Sequence, residues 1–242
     1  MSEHYSDRAQ VILLDIEGTT TPIDYVVEIL FPFAQAYVES FLEAHPQDQA
    51  VEADLMGLRQ DYEADVALGL SVPEWKDGSM IAAVAYINHL IAIDRKSTGL
   101  KSLQGKIWEQ GYQDGRLRSQ VFSDVKKAFV RWKSAGKQLF IFSSGSVQAQ
   151  QLLFRYTDVG DLTGFLSGYF DTKTGSKKEV DSYRKIAQAI GVPCSKILFI
   201  SDVTAELRAA QAAGMETLFS LRPGNRSSDS EGFPVCQDFD SI

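Results

Sequence analysis

Cysteine and histidine are scarce in this chain. There are two cysteines, Cys194 and Cys236, and three histidines, His4, His45 and His89. Two distant thiols make neither a disulfide framework nor a cysteine-rich zinc site, and free thiols suit a reducing compartment. Scattered histidines argue against a multi-histidine metal centre. Long apolar runs are missing as well: none reaches the roughly 18 residues that a membrane helix requires. The opening MSEHYSDRAQ lacks the apolar core of a signal peptide. A cytoplasmic protein is expected, present also in the nucleus if the source is eukaryotic. Basic residues are outnumbered, 24 against 32, for a net charge of −8. That balance argues against broad binding to nucleic acid or to an acidic membrane, but leaves room for a small anionic ligand. Three catalytic signatures are absent. SSGS lacks the leading glycine of a nucleophile elbow, TGSKK lacks Walker A spacing, and no G-x-G-x-x-G follows the first apolar run.

The 242 residues suffice for one large domain or two modest ones. VILLD, residues 11–15, is short, branched and apolar on both faces, as in the middle of a parallel sheet. Helical spacing then runs from Asp24 to about Ile93, with Pro32 expected to bend or start a turn and GLSVPEWKDGS expected to break the helices. MIAAVAYINHLIAI, 80–93, predicts an apolar helix, and 103–112 a further short one. Alternation follows: helix 124–135 capped near Ser123 or Asp124, strand 138–143, helix 147–156, a short strand over 165–170, helix 180–190, strand 196–201, helix 204–213 and strand 216–221. RPGNRSSDSEG predicts a loop. The pattern is α/β with a Rossmann-like parallel sheet, interrupted once by an all-helical cap. The expected division is 1–22 with 116–242 for the core and 23–115 for the cap.

Ligands of open α/β sheets bind beyond the carboxyl ends of the strands. Three strands end in polar residues there: Asp15-Ile16-Glu17-Gly18-Thr19, Ser143-Ser144-Gly145-Ser146 and Ser201-Asp202, with Glu206 one turn later. Lys177 lies in the loop DTKTGSKKE. Each has a plain reading when taken singly: turn acid, helix cap, exposed lysine, or first-turn acid favoured by the helix dipole. As an ordered set they suit phosphoryl transfer. Asp15 can attack phosphorus, and Asp15 with Asp202 can hold Mg²⁺, a hard ion that takes oxygen ligands. Ser143 can donate to a phosphoryl oxygen, and Lys177 can offset negative charge. Gly18 and Thr19 are expected to turn backbone N–H groups toward the anion, and Glu17 to move a proton.

These segments resemble the four motifs of the haloacid dehalogenase-like phosphatases. VILLDIEGTTTPIDYVVEILFPFA, LQGKIWEQGY, FDTKTGSKKE, SYRKIA and ISDVTAELRAAQAAGM are similar, more narrowly, to the enolase-phosphatase E1 family of methionine salvage. The resemblance implies a Mg²⁺-dependent monomer that enolises 2,3-diketo-5-methylthiopentyl-1-phosphate and hydrolyses the enol phosphate to an acireductone and phosphate. It assigns Asp15 as nucleophile and metal ligand, and Asp202 as metal ligand. Glu17 would bind the metal through its backbone oxygen, Ser143 and Ser144 would bind phosphate and substrate, and Lys177 would be the basic residue. Trp75, Tyr86, Trp108 and Tyr112 are available to line a pocket, with packing the plainer reading; Lys101 and Lys106 could add positive charge, with solvent exposure the plainer one. Two alternatives stand beside this: another capped phosphatase acting on a small phosphorylated metabolite, and a non-catalytic phosphate-binding module or adaptor.

Overall fold

A computed structural model describes residues 8–76, 79–227, 229–240 and 242. The chain divides into two compact units, Met1–Val26 with Arg118–Ile242, and Val27–Leu117. The expected cap segment, 23–115, is offset from the second unit at both ends. At the first, the division falls within a π-helical stretch, Tyr25–Leu30, whose start has no marker in the apolar spacing.

The first unit is built on a parallel sheet of order β3-β2-β1-β4-β5-β6. The strands are β1 (Val11–Leu14), β2 (Gln138–Phe142), β3 (Gly168–Phe170), β4 (Ile197–Ser201), β5 (Glu216–Ser220) and β6 (Val235–Cys236). All four residues of β1 are fully buried, with Val11 and Leu13 packing on Phe142, Tyr183, Ile186, Phe199 and Leu207. Burial on both faces is what an unbroken branched run requires. β1 pairs with β2 on one side and β4 on the other, Leu14 facing Ile141 and Ile200. The chain therefore reverses its winding direction beside β1, where a crevice opens at the carboxyl edge. Asp15 is the first residue past that edge.

In the second unit, α1 (Phe31–Ala44), α2 (Gln49–Ala67), α3 (Val84–Ala92) and α4 (Thr98–Gln113) pack together. Pro32 is the second residue of α1, directly after the π-helical stretch, so its missing N–H falls where one helical form passes into the other. Asp48 caps α2, its Oδ1 accepting from Ala50 N and Val51 N, and Ser97 caps α4 by accepting from Leu100 N. That cap starts α4 at Thr98, five residues before the apolar spacing suggests. The helix expected over 80–93 opens as a 3₁₀ turn, Ile81–Ala83, before α3. Trp75, Tyr86, Trp108 and Tyr112 are buried, with Trp75 against Tyr62 and Tyr86 and Trp108 stacked on Phe31. Lys106 is not a free surface charge, because its Nζ is 2.5 Å from Asp54 Oδ2. Of the expected break GLSVPEWKDGS, Asp77 and Gly78 lie outside the described residues.

Among the described residues the first unit also holds α5 (Val125–Ser134), α6 (Val147–Arg155), α7 (Val180–Ile190) and α8 (Thr204–Ala212). The expected strand over 165–170 is shorter than read, because Thr163–Phe165 form a 3₁₀ turn and only Gly168–Phe170 pair with β2. Gly168 is required there: a Cβ would come within 2.9 Å of the Phe140 ring. β6, two residues long, carries no readable alternation and follows the expected loop, of which Ser228 lies outside the described residues.

Asp124 stands at the start of α5 but makes no capping bond. Its Oδ2 instead accepts from Arg222 Nη2 at 2.8 Å and from Phe239 N at 2.6 Å. The Arg222 guanidinium lies over the rings of Phe122 and Phe239 and donates to Gln237 O. Asp124→Ala leaves that buried cation without its anion. Breaking such a pair costs about 3–5 kcal/mol, against up to about 1 kcal/mol for an exposed pair. Urea unfolding followed by circular dichroism is expected to show the larger loss; a loss under about 1 kcal/mol would mean that the pair is solvated.

Candidate active site

At the carboxyl edge of β1, β2 and β4 a cavity of about 130 Å³ is lined by Asp15, Glu17, Ile23, Ser143, Ser144, Lys177, Asp202, Val203, Glu206 and Arg226. Seven of these residues were read as candidates from the sequence. The sheet register gathers them, since Asp15, Ser143 and Asp202 all follow directly on paired strands.

Lys177 organises the centre. Its Nζ is 2.6 Å from Asp15 Oδ1 and 2.7 Å from Glu206 Oε2, and its side chain is 6% exposed. Burial alone would lower the ammonium pKa, but the charges of Asp15 and Glu206 outweigh it, so Lys177 stays protonated. Its loop is fastened to α7. Tyr183 Oη donates to Lys177 O at 2.6 Å, and Ser182 Oγ donates to Ser176 O at 2.7 Å. Gly175, at φ +144°, leaves room for Ser182, whose Oγ would lie 2.3 Å from an added Cβ.

Asp15 Oδ1 also accepts from Ile16 N at 2.7 Å. Oδ2 is the less committed oxygen, 3.3 Å from Ser201 Oγ. That hydroxyl has one proton to give and lies nearer Glu206 Oε2, at 2.9 Å. Glu206 is thus more than a first-turn acid, because it is buried and shares Lys177 with Asp15. Ser143 Oγ accepts from Gly145 N, which leaves its own O–H to donate elsewhere. The cap of α6 is Ser146, so neither Ser143 nor Ser144 is spent as a helix cap. Glu17 and Ser144 are exposed at the rim of the cavity.

One expectation is overturned. Gly18 and Thr19 do not offer their amides to an anion: Gly18 N donates to Thr21 O at 2.8 Å and Thr19 N to Ile16 O at 3.2 Å. The turn is so tight that it consumes its own donors. Thr19 is buried and absent from the cavity lining. Gly18 matters through space. At φ +69°, its missing Cβ would lie 2.4 Å from Asp202 Oδ2 and 2.8 Å from Asn225 Oδ1.

Ser201, Asn225 and Arg226 carry parts that sequence reading missed. Ser201 sits inside the quoted strand end, and its polarity at a buried position was the available signal. Asn225 Nδ2 donates to Gly18 O at 3.1 Å and Ser220 O at 2.8 Å, which joins the loop after β5 to the Asp15 turn.

The family description "haloacid dehalogenase-like hydrolase" matches residues 9–214. An enolase-phosphatase E1 of Synechococcus elongatus is 54% identical over 231 residues, 96% of each chain. The chain belongs to the enolase-phosphatase E1 family of haloacid dehalogenase-like hydrolases. A Vitis vinifera protein named as a probable bifunctional methylthioribulose-1-phosphate dehydratase/enolase-phosphatase E1 is 43% identical, covering 96% of this chain and 46% of that protein. Among solved structures, the UTR4 protein of Saccharomyces cerevisiae is 34% identical with a TM-score of 0.80, over 97% of this chain and all of that one.

Enzymes of this family are expected to use a divalent ion. No group of three His, Cys, Asp or Glu side chains placed to hold a metal occurs among the described residues. The oxygen donors nevertheless fit a hard divalent ion, which takes one or two carboxylates and keeps several waters. Asp202 is pushed up to about 7 by burial and then by the charge of Asp15. Glu206 is also pushed up to about 7, by burial and then by Asp15, with Lys177 opposing. Both carboxyls hold their protons more tightly in the folded protein than in the unfolded chain. Their contribution to stability is therefore full below ordinary carboxylate values and is lost as pH rises through about 7. In EDTA the melting temperature is expected to fall between pH 5 and pH 8, and Asp202→Asn to flatten that fall. Mg²⁺ is expected to raise the wild-type melting temperature more at pH 8 than at pH 5. Equal Mg²⁺ shifts at the two pH values would contradict this charge balance.

Proposed function

We infer that this chain is a Mg²⁺-dependent enolase-phosphatase, or acireductone synthase, of methionine salvage. It converts 2,3-diketo-5-methylthiopentyl-1-phosphate to 1,2-dihydroxy-3-keto-5-methylthiopentene and phosphate. The end-to-end likeness to the cyanobacterial enolase-phosphatase E1 carries this reading, and the cavity supplies a chemical means. The helical unit is the segment that the family resemblance reads as the cap. We take the protein to act as a cytoplasmic monomer with a small phosphorylated diketone as its partner, and without nucleic acid or membrane.

The Asp15 and Asp202 carboxylates and the Glu17 backbone oxygen would hold the ion, with water completing the shell. The ion would offset charge on the nucleophile and on the phosphate. Lys177 holds Asp15 through Oδ1, so Oδ2 is the oxygen available to attack phosphorus. In that step an Asp15 oxygen–phosphorus bond forms and the ester oxygen–phosphorus bond breaks, with the enol oxygen taking a proton. Water then attacks phosphorus of the aspartyl phosphate, which releases phosphate and restores the Asp15 carboxylate. Ser143 O–H donates to a phosphoryl oxygen in both steps.

Glu17 and Asp15 occupy different surroundings: Asp15 is buried, whereas Glu17 is exposed at the rim. This difference suits Glu17 for proton transfer to and from substrate rather than for attack. Enolisation removes a proton from carbon and places one on a carbonyl oxygen, in addition to the proton transfers of hydrolysis.

The test follows phosphate release and the ultraviolet absorbance of the enediol product together, with Mg²⁺ present. Wild-type enzyme is expected to yield both in equal amounts, and Asp15→Asn neither. Glu17→Asp retracts the carboxylate by about 1.5 Å, one carbon–carbon step. It is expected to lose about tenfold more kcat/KM on the diketo phosphate than on a phosphomonoester needing no enolisation. Equal losses on the two substrates would remove Glu17 from the enolisation step. Absence of enediol from wild-type enzyme would overturn the assignment of substrate.

A further inference from the structure

We propose that Arg226 binds the phosphate group of the incoming substrate. The proposal rests on the phosphatase reading and deepens it. Four acids line the cavity, Asp15, Glu17, Asp202 and Glu206, against two bases, Lys177 and Arg226. Lys177 is committed, with Asp15 and Glu206 each within 2.7 Å of its Nζ. A divalent ion at Asp15 and Asp202 would only bring that balance to neutrality, so the lining holds no surplus positive charge for a dianionic phosphomonoester beyond a cation that is not already committed. Arg226 is the other lining cation, and among the described residues its side chain makes no hydrogen bond or ion pair. A guanidinium presents its donors as a planar fork that matches two phosphoryl oxygens, which a point-charge ammonium does not.

The backbone is arranged to keep Arg226 there. Its neighbour Asn225 is tied to Gly18 O and Ser220 O at 3.1 and 2.8 Å, and Ser220 Oγ donates to Gly18 O at 3.0 Å. Further along the same loop, Glu231 accepts from Thr204 Oγ1 at 2.9 Å and pairs with Arg208 on α8. The loop is thus fastened on both sides of Arg226, to the nucleophile turn and to the helix that carries Glu206. An arginine serving only solubility needs neither anchor. Arg226 is itself exposed, so its replacement does not disturb a core.

The experiment compares wild type, Arg226→Ala, Arg226→Lys and Arg184→Ala, the last being an exposed arginine of α7 paired with Asp181. KM and kcat are measured with a simple phosphomonoester and Mg²⁺, with inorganic phosphate as product inhibitor. Phosphate binding is also measured directly by calorimetry. Arg226→Ala is expected to raise KM and weaken phosphate binding about ten- to a hundredfold, the range for losing a hydrogen bond to a charged group, with kcat changed less than about threefold. Arg226→Lys is expected to fall between, keeping charge but losing the fork, and Arg184→Ala to match wild type. Unchanged phosphate affinity in Arg226→Ala, or an equal loss in Arg184→Ala, would overturn the proposal. A wild type that binds phosphate but turns over no phosphomonoester would instead overturn the phosphatase reading, and the calorimetric comparison would still decide Arg226.

Discussion

A buried ammonium between two carboxylates sets the terms for the rest of this molecule. Lys177 lies between Asp15, from the end of β1, and Glu206, from the first turn of α8. Taking those charges out of water is unfavourable unless each has its partner. Three segments far apart in sequence must therefore meet at one point. β1 lies between β2 and β4, which brings Asp15 beside the loops that follow both. The loop carrying Lys177 is in turn held by Tyr183 and Ser182 of α7, and Gly175 gives Ser182 its space. Asp202 makes no ion pair among the described residues, and its burial, followed by the charge of Asp15, raises its carboxyl pKa. A centre that is complete but for one positive charge suits a hard divalent ion and an anionic substrate.

Close packing around Gly18 is the second constraint. The Asp15 turn, Asp202 and Asn225 approach so nearly that no side chain fits at residue 18. This contact carries the influence of the turn to the loop after β5, and hence to Arg226. The amides of Gly18 and Thr19 are spent within the turn, which increases the part left to the side chains of Lys177, Ser143 and Arg226.

Much of this was legible in the sequence because parallel sheets place polar residues where strands stop. VILLD, QLFIFS and KILFIS announce three buried strands, and Asp15, Ser143 and Asp202 stand at their ends. Membership of the family and the kind of reaction followed from the same segments. What was hidden depends on tertiary closure. Glu206 looks like an ordinary helix-start acid until Lys177 is beside it. The amides of Gly18 and Thr19 look available until the turn is seen to close on Thr21 and Ile16. Asp124 looks like a helix cap, but its partner Arg222 is 98 residues away. Arg226 lies in a serine-rich stretch whose composition says only loop, and nothing local reports that Asn225 fastens it. The π-helical stretch Tyr25–Leu30 escaped because its apolar spacing resembles that of the α-helix it joins.

The central claim is that Asp15, held by Lys177, attacks phosphorus before water does. The stereochemical course at phosphorus tests this directly, using a substrate whose phosphoryl group is made chiral with oxygen isotopes and sulfur. Two successive in-line displacements, first by Asp15 and then by water, predict net retention of configuration in the released thiophosphate. Net inversion would show a single direct attack by water and would contradict the account.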